Sequence, residues 1–185
     1  MASPGQVRAI STESLVEAFF RQSAGNWKSE RRYYTLKQDT SQEVVSSIVV
    51  EFLERGDARL EELAHLHHLP QDVTFACGSR VTWESHYIGP KGKPSQGSTL
   101  FGIIGDTLYR DRGFATSEPV TARLYFPNPQ TLCLKTEYGG STFEEEIKLI
   151  GRKYRTRQTI VSRAGEELLI GQYLEKRLDL AEPEE

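Results

Sequence analysis

Residues 25–37, GNWKSERRYYTLK, alternate over their whole length. Period two puts Trp27, Ser29, Arg31 and Tyr33 on one face and Lys28, Glu30, Arg32 and Tyr34 on the other. The pattern predicts a long strand, 26–37, and a glycine two residues before a tryptophan at its start suits the floor of a small β-barrel. With Trp27 plugging that floor, the same period carries Arg31 inward and upward into the cavity. A cation aimed into a barrel awaits an anion.

Upstream the period changes. Leu15, Val16, Phe19 and Phe20 recur at helical spacing, which predicts a helix over 12–23 capped by Ser11 or Ser14 and stopped at Gly25. Downstream, 43–54 is a β-branched amphipathic strand, reached through the turn residues QDTSQ. Residues 57–68 break the rhythm: Leu60, Leu63 and Leu66 or His67 have helical spacing, so a short inserted helix is expected there, ended by Pro70. A third strand spans 74–88, with Cys77, Ser79, Val81, Trp83, Ser85 and Tyr87 on one face. The loop GPKGKPSQG, 89–97, follows as a candidate lid or docking edge. Further strands are expected at 98–105, 107–112, 119–126, 131–138, 142–150, 153–163 and 166–178, with turns at PNPQ, YGGS and SRAGEE.

About ten short strands with tight connections and no helices between the later ones describe an antiparallel meander. Closure into an up-and-down barrel leaves no free edge. The expectation is an all-β barrel with an N-terminal helix and one inserted helix. It occupies 11–179 as a single domain, after a flexible lead (1–10) and before a disordered acidic tail (180–185).

Composition narrows the function classes. The 185 residues suit one domain with a sizeable core, and 26% charged against 37% hydrophobic is ordinary for a globular chain. A net charge of −3 supplies no basic field for nucleic acid or acidic lipid. No apolar run approaches ~20 residues and no signal core opens the chain, so neither membrane nor secretion is expected. The two cysteines, Cys77 and Cys133, lie far apart and read as small core residues of a reducing-compartment protein.

The chemistry then lies in those inward positions that are not apolar. On 142–150 Glu145 shares the face of Phe143, Ile147 and Leu149. On 153–163 Arg155, Arg157, Thr159 and Val161 share a face. On 166–178 Tyr173, Glu175 and Arg177 do. If the arginine-bearing faces turn inward, the cavity gathers Arg31, Arg155, Arg157, Glu145 and Glu175 beside Trp83, Tyr87 and Tyr33. A buried surplus of arginine calls for an anionic ligand, which guanidinium meets with bidentate geometry. Each of these has a plainer reading. A strand arginine more often faces solvent, Trp83 alone reads first as core, and Glu144–Glu146 reads as a solvated run with at most one member inside. Arg177 is expected over Trp27 in a packing role, with Gly25 and Trp27 structural. His65, His67 and His68 lack a partner carboxylate or cysteine set, so no metal site is assigned. No phosphate loop, nucleophile elbow or dinucleotide fingerprint occurs.

The blocks EAFFRQSAGNWKSERRYY, ACGSRVTWES, FPNPQTL, EEEIKLIGRKYRTRQT and GQYLEKRL, in this order over Phe19 to Leu178, resemble the S-type phycobiliprotein lyases, the CpcS/CpeS family. The resemblance implies a lipocalin-like ten-stranded barrel that binds an open-chain tetrapyrrole. It implies delivery of phycocyanobilin or phycoerythrobilin to a phycobiliprotein cysteine as a thioether. The bilin is then a substrate, with no permanently bound cofactor. Partners would be apo-phycobiliprotein subunits and a second lyase chain, either a copy or a related subunit. The site would be the cyanobacterial cytoplasm or the plastid stroma.

Carried onto matching positions, the family's bilin contacts fall on Arg31, Trp83, Glu145, Arg155, Arg157 and Glu175. Thr159 stands where a serine follows the arginine pair, and Tyr34 where many members carry histidine. In this reading Arg31, Arg155 and Arg157 hold propionates, Glu145 and Glu175 are the catalytic groups that accept from pyrrole N–H, and Trp83 and Tyr87 pack on the rings. A carrier of bilins or other acidic hydrophobic ligands, without transfer, is the alternative, and a fatty-acid binder a third reading.

Overall fold

The computed structural model describes residues 10–89 and 92–179. Within them the chain runs α1 (Thr12–Ser23), β1 (Gly25–Thr35), β2 (Thr40–Leu53), α2 (Ala58–Leu66), β3 (Cys77–Tyr87), β4 (Ser95–Ile104) and β5 (Thr107–Arg110). It continues with β6 (Val120–Asn128), β7 (Thr131–Tyr138), β8 (Ser141–Ile150), β9 (Tyr154–Arg163) and β10 (Glu166–Arg177). Each strand pairs antiparallel with its sequence neighbours, and β10 returns to β1, closing the barrel. Closure removes both edges of the sheet. The flexible lead and the acidic tail expected at the two ends fall, but for Ile10, outside the described residues.

Alternation decides which face of each strand turns inward. On β1 Trp27 and Ser29 are buried and Arg31 and Tyr33 half-buried, while Lys28, Glu30 and Arg32 are exposed. On β8 Phe143, Glu145 and Leu149 are buried between the exposed Glu144, Glu146 and Lys148. On β9 and β10 the arginine-bearing faces are the inner ones: Arg155, Thr159 and Glu175 are buried, whereas Leu174 is among the exposed apolar side chains. The last two strands therefore spend hydrophobic residues on the outside and charge on the inside, an inversion that marks the interior as a site.

The floor is built by α1. Ser11 Oγ accepts from Ser14 N at 3.1 Å, capping a helix whose Val16, Phe19 and Phe20 enter the same core as Trp27, Ile48, Ile103 and Leu132. Trp27 Nε1 donates to Ser23 O at 2.9 Å, and Arg177, its partner in the β1–β10 register, lies over the indole at 4.3 Å. Gly25 would be strained by a side chain. Its φ is +137°, and a Cβ there would stand 2.5 Å from Arg177 Nη1 and 2.7 Å from Asp179 Oδ2.

Several boundaries differ from the sequence expectation. The ladder of β3 starts at Cys77 rather than 74, because Phe75 leaves the wall to pack with Leu53, Leu60 and Leu63 beneath α2. On α2 it is His67, not the exposed Leu66, that turns inward, and its Nε2 lies 2.8 Å from Arg110 O. β4 begins at Ser95, inside the stretch expected as loop 89–97, of which residues 90–91 lie outside the described set. β6 continues through Pro127, where the β6–β7 register shifts, since proline has no N–H to give the ladder.

Candidate functional site

Above the floor the barrel encloses a cavity of about 250 Å³. Phe19, Phe20, Ile48, Leu108, Leu132 and Leu134 form its apolar base, and Arg31, Tyr33, Trp83, Phe101, Arg110, Arg112, Phe114, Arg155, Arg157 and Tyr173 line the rest. Three helix residues and inward positions of nine strands thus converge on one space that is greasy below and cationic around its walls.

Beneath the arginines lie two carboxylates. Glu145 accepts from Arg157 Nη2 at 2.9 Å on one oxygen and from Arg110 on the other. Glu175 accepts from Arg155 on one oxygen and from Ser29 Oγ at 3.1 Å on the other. Burial pushes the Glu145 carboxyl up, but Arg110 and Arg157 outweigh it and hold the group below the ordinary carboxylate range. Burial likewise pushes Glu175 up, and Arg155 and Arg157 outweigh it. Both are therefore anions at neutral pH. Five guanidiniums, Arg31, Arg110, Arg112, Arg155 and Arg157, line the cavity against these two carboxylates. Three positive charges are left over.

Hydrogen-bonding capacity is left over too. Arg110 Nε, Arg157 Nε and Thr159 Oγ1 are buried without a partner among the described residues, an arrangement that costs stability unless a ligand uses it. Aromatic faces are ready beside them: Arg31 lies 5.3 Å and Arg157 5.5 Å from the Tyr173 ring, and Phe114 stacks on Phe143 at 4.9 Å. Burial first, then the neighbouring Tyr33, pushes the Tyr173 phenol up, so it stays protonated.

The structure brings Arg31, Tyr33, Trp83, Arg155 and Arg157 to the cavity wall. It does not bring the other expected residues there. Glu145 and Glu175 lie one layer behind, covered by the guanidiniums they pair with. Thr159 is buried opposite Glu145 in the β8–β9 register. Tyr87 shares the face of Trp83 but stands beyond the lining, under the chain at Gly92, where a Cβ would come within 2.0 Å of Tyr87 Cβ. Cys77 is a core residue, its thiol pushed up to about 12 by burial. Cys133 is buried too, on the face of β7 opposite Leu132 and Leu134 and paired across the strands with Tyr125.

Sequence reasoning missed Arg110, Arg112, Phe101 and Phe114. For Arg110 and Arg112 the signal was present, since both share the parity of the apolar Leu108 on the strand expected over 107–112. Phe114 lies past the end of that strand, where parity no longer applies, and β5 itself stops at Arg110.

The model of the CpeS-like protein family matches residues 15–178. The chain belongs to this family, that of the S-type phycobiliprotein lyases. A Nostoc sp. (strain PCC 7120) protein provisionally named phycocyanobilin lyase CpcS 2 is 57% identical over 172 residues, covering 93% of this chain and 95% of that one. A Picosynechococcus sp. protein provisionally named chromophore lyase CpcV is 51% identical, covering 96% of this chain and 88% of that one. A second Picosynechococcus protein, named phycocyanobilin lyase subunit CpcS, is 32% identical over 80% of this chain and 78% of its own. Among solved structures, the S-type phycobiliprotein lyase CpeS from Guillardia theta superposes with a TM-score of 0.75 at 21% identity, covering 96% of this chain and all of that one. At that identity the likeness speaks for the shared barrel. Inside the barrel of this CpeS-like chain stand the five guanidiniums and two carboxylates described above.

Proposed function

We propose that this chain is a bilin lyase: its barrel binds an open-chain tetrapyrrole and attaches it by a thioether to a cysteine of a phycobiliprotein subunit. The observation that carries the reading is the surplus of guanidinium around an aromatic-walled cavity, in a chain whose relatives are named for this chemistry. A bilin offers two propionates to the arginines and flat rings to Trp83 and Tyr173.

Phycocyanobilin is the bilin we favour, because it is named for the relatives at 57% and 32% identity. A dimer, with a second copy or a related lyase chain, agrees with a relative named as a subunit. The place of work would be wherever the acceptor subunits are made, cyanobacterial cytoplasm or plastid stroma. No helix among the described residues is long and apolar enough to cross a membrane.

The nucleophile belongs to the acceptor. Its thiol sulfur forms the new C–S bond at the ethylidene carbon of ring A, the exocyclic C=C opens, and the thiol proton is balanced by one gained on the tetrapyrrole. Glu145 and Glu175 are ionised, so they do not supply that proton. Their role here is positioning: they hold Arg110, Arg155 and Arg157 in the wall and place negative charge behind the ligand. A cavity of about 250 Å³ is smaller than the ~300–1,000 Å³ of pockets that enclose whole ligands. In this reading ring A stands at the mouth, where another protein's cysteine can reach it. That suits transfer better than carriage, and its benefit is orientation of the reacting carbon.

Absorption titration with phycocyanobilin tests the binding half. A saturable, red-shifted band that a long-chain fatty acid does not displace supports the reading. Displacement by fatty acid points to a monocarboxylate binder instead.

A further inference from the structure

The three arginines Arg110, Arg155 and Arg157 spend their charge on Glu145 and Glu175. Two cavity arginines do not. Arg31 donates only to Ser29 Oγ, at 3.2 Å, and Arg112 makes no ion pair among the described residues. The acidic neighbour of Arg112 is engaged elsewhere: Asp111 Oδ1 accepts from Thr99 Oγ1 at 2.8 Å and from Leu100 N at 3.1 Å.

Arg112 is nevertheless held in place. Its guanidinium lies 4.9 Å from the centre of the Trp83 ring, an attraction that orients the cation without neutralising it. Gly97 leaves room for the pair, since a Cβ there would stand 2.6 Å from Trp83 Cζ2 and 3.0 Å from Arg112 Nη2. A bare, oriented guanidinium on an aromatic face, with no side chain at the third wall, is a receptor for a carboxylate.

We infer that Arg112, stacked on Trp83 over Gly97, binds one carboxylate of the ligand and Arg31 binds the other, while Arg155 and Arg157 shape the wall. The inference rests on the bilin-binding reading and refines it. Trp83 stands on β3 and Arg31 on β1, and Trp83 pairs through Ile48 with Trp27, four residues before Arg31. The backbones are thus on the order of 15 Å apart, a separation that suits two carboxylates on separate arms of one ligand.

The test is absorption titration of wild type, Arg112→Gln and Gly97→Ala with phycocyanobilin and with its dimethyl ester. Arg112→Gln should weaken binding of the free acid about ten-fold, the loss of one charged hydrogen-bonded pair, and leave ester binding unchanged. Gly97→Ala should act in the same direction. The losses in Arg31→Gln and Arg112→Gln should add in the double variant, as for two independent carboxylates. Wild-type affinity of Arg112→Gln for the free acid overturns the assignment, as does an equal loss for acid and ester. Either result leaves the bilin reading standing, whereas failure of the wild type to take up the free acid removes both.

Discussion

Glu145 on β8 stands 2.9 Å from Arg157 Nη2 on the adjacent β9, and its second oxygen meets Arg110 from β5, three strands away round the wall. One fully buried carboxylate therefore ties two cavity arginines that no local sequence feature connects. Removing it strands two guanidiniums inside the barrel. Glu145→Gln should cost about 3 kcal/mol of stability, the usual penalty for breaking a buried ion pair from one side. Urea unfolding measures it, and a midpoint within ~0.5 kcal/mol of wild type would show that the pair is not structural.

The same carboxylates set a pH dependence. Each has a lower pKa folded than unfolded, because its arginines outweigh the effect of burial. Stability from such a group is fully present above the unfolded value, ~4.3 for Glu, and is lost as pH falls through the folded one. The urea midpoint should hold at neutral pH and fall steeply below about pH 4. Glu175→Gln should lower the plateau and flatten the acid limb. A wild-type midpoint that stays level through the acid range contradicts the ion-pair account.

Gly25 joins helix to strand at φ +137° with Arg177 and Asp179 packed against it. Gly25→Ala combines a strained backbone with a clash and should cost ~2 kcal/mol or more. Gly105, at φ +59° with open space around its Cα, is the control: its alanine variant pays for the backbone alone, ~1 kcal/mol. Thermal melts of the two variants rank them, and equal melting temperatures would remove the packing argument.

Neither cysteine lines the cavity. Cys77 is buried in the core with its thiol pushed up to about 12, and burial also raises Cys133. A Cys77→Ala, Cys133→Ala chain should transfer bilin at the wild-type rate. Loss of transfer with binding intact would mean a covalent lyase intermediate.

Much of this was legible beforehand. The period-two faces of residues 27–33, 143–149 and 155–161 grouped Arg31 with Trp27, Glu145 with Phe143 and Arg155 with Arg157, though parity left open which face of β9 and β10 turns inward, and the helix over 12–23 came with its cap. What could not be read is which charges cancel. That depends on closure bringing β5 round to β8 and β10 to β1, contacts between residues 35 and 146 positions apart. The period also fails past a strand's end, which hid Phe114, and where a large apolar residue finds a better berth, as Phe75 does beneath α2. A carboxylate on an inward face was expected to meet the ligand. In the barrel it meets the arginines first.

The central claim is transfer, and one measurement addresses it directly. Phycocyanobilin is mixed with this protein, apo-phycobiliprotein subunit is added, and both chains are then separated in acidic urea, where only covalently bound bilin stays with its polypeptide. Colour should appear on the acceptor chain, well above that formed without this protein, and none on the lyase. Colour on the acceptor at the spontaneous level, with bilin still bound to the barrel before denaturation, would contradict it and leave a carrier.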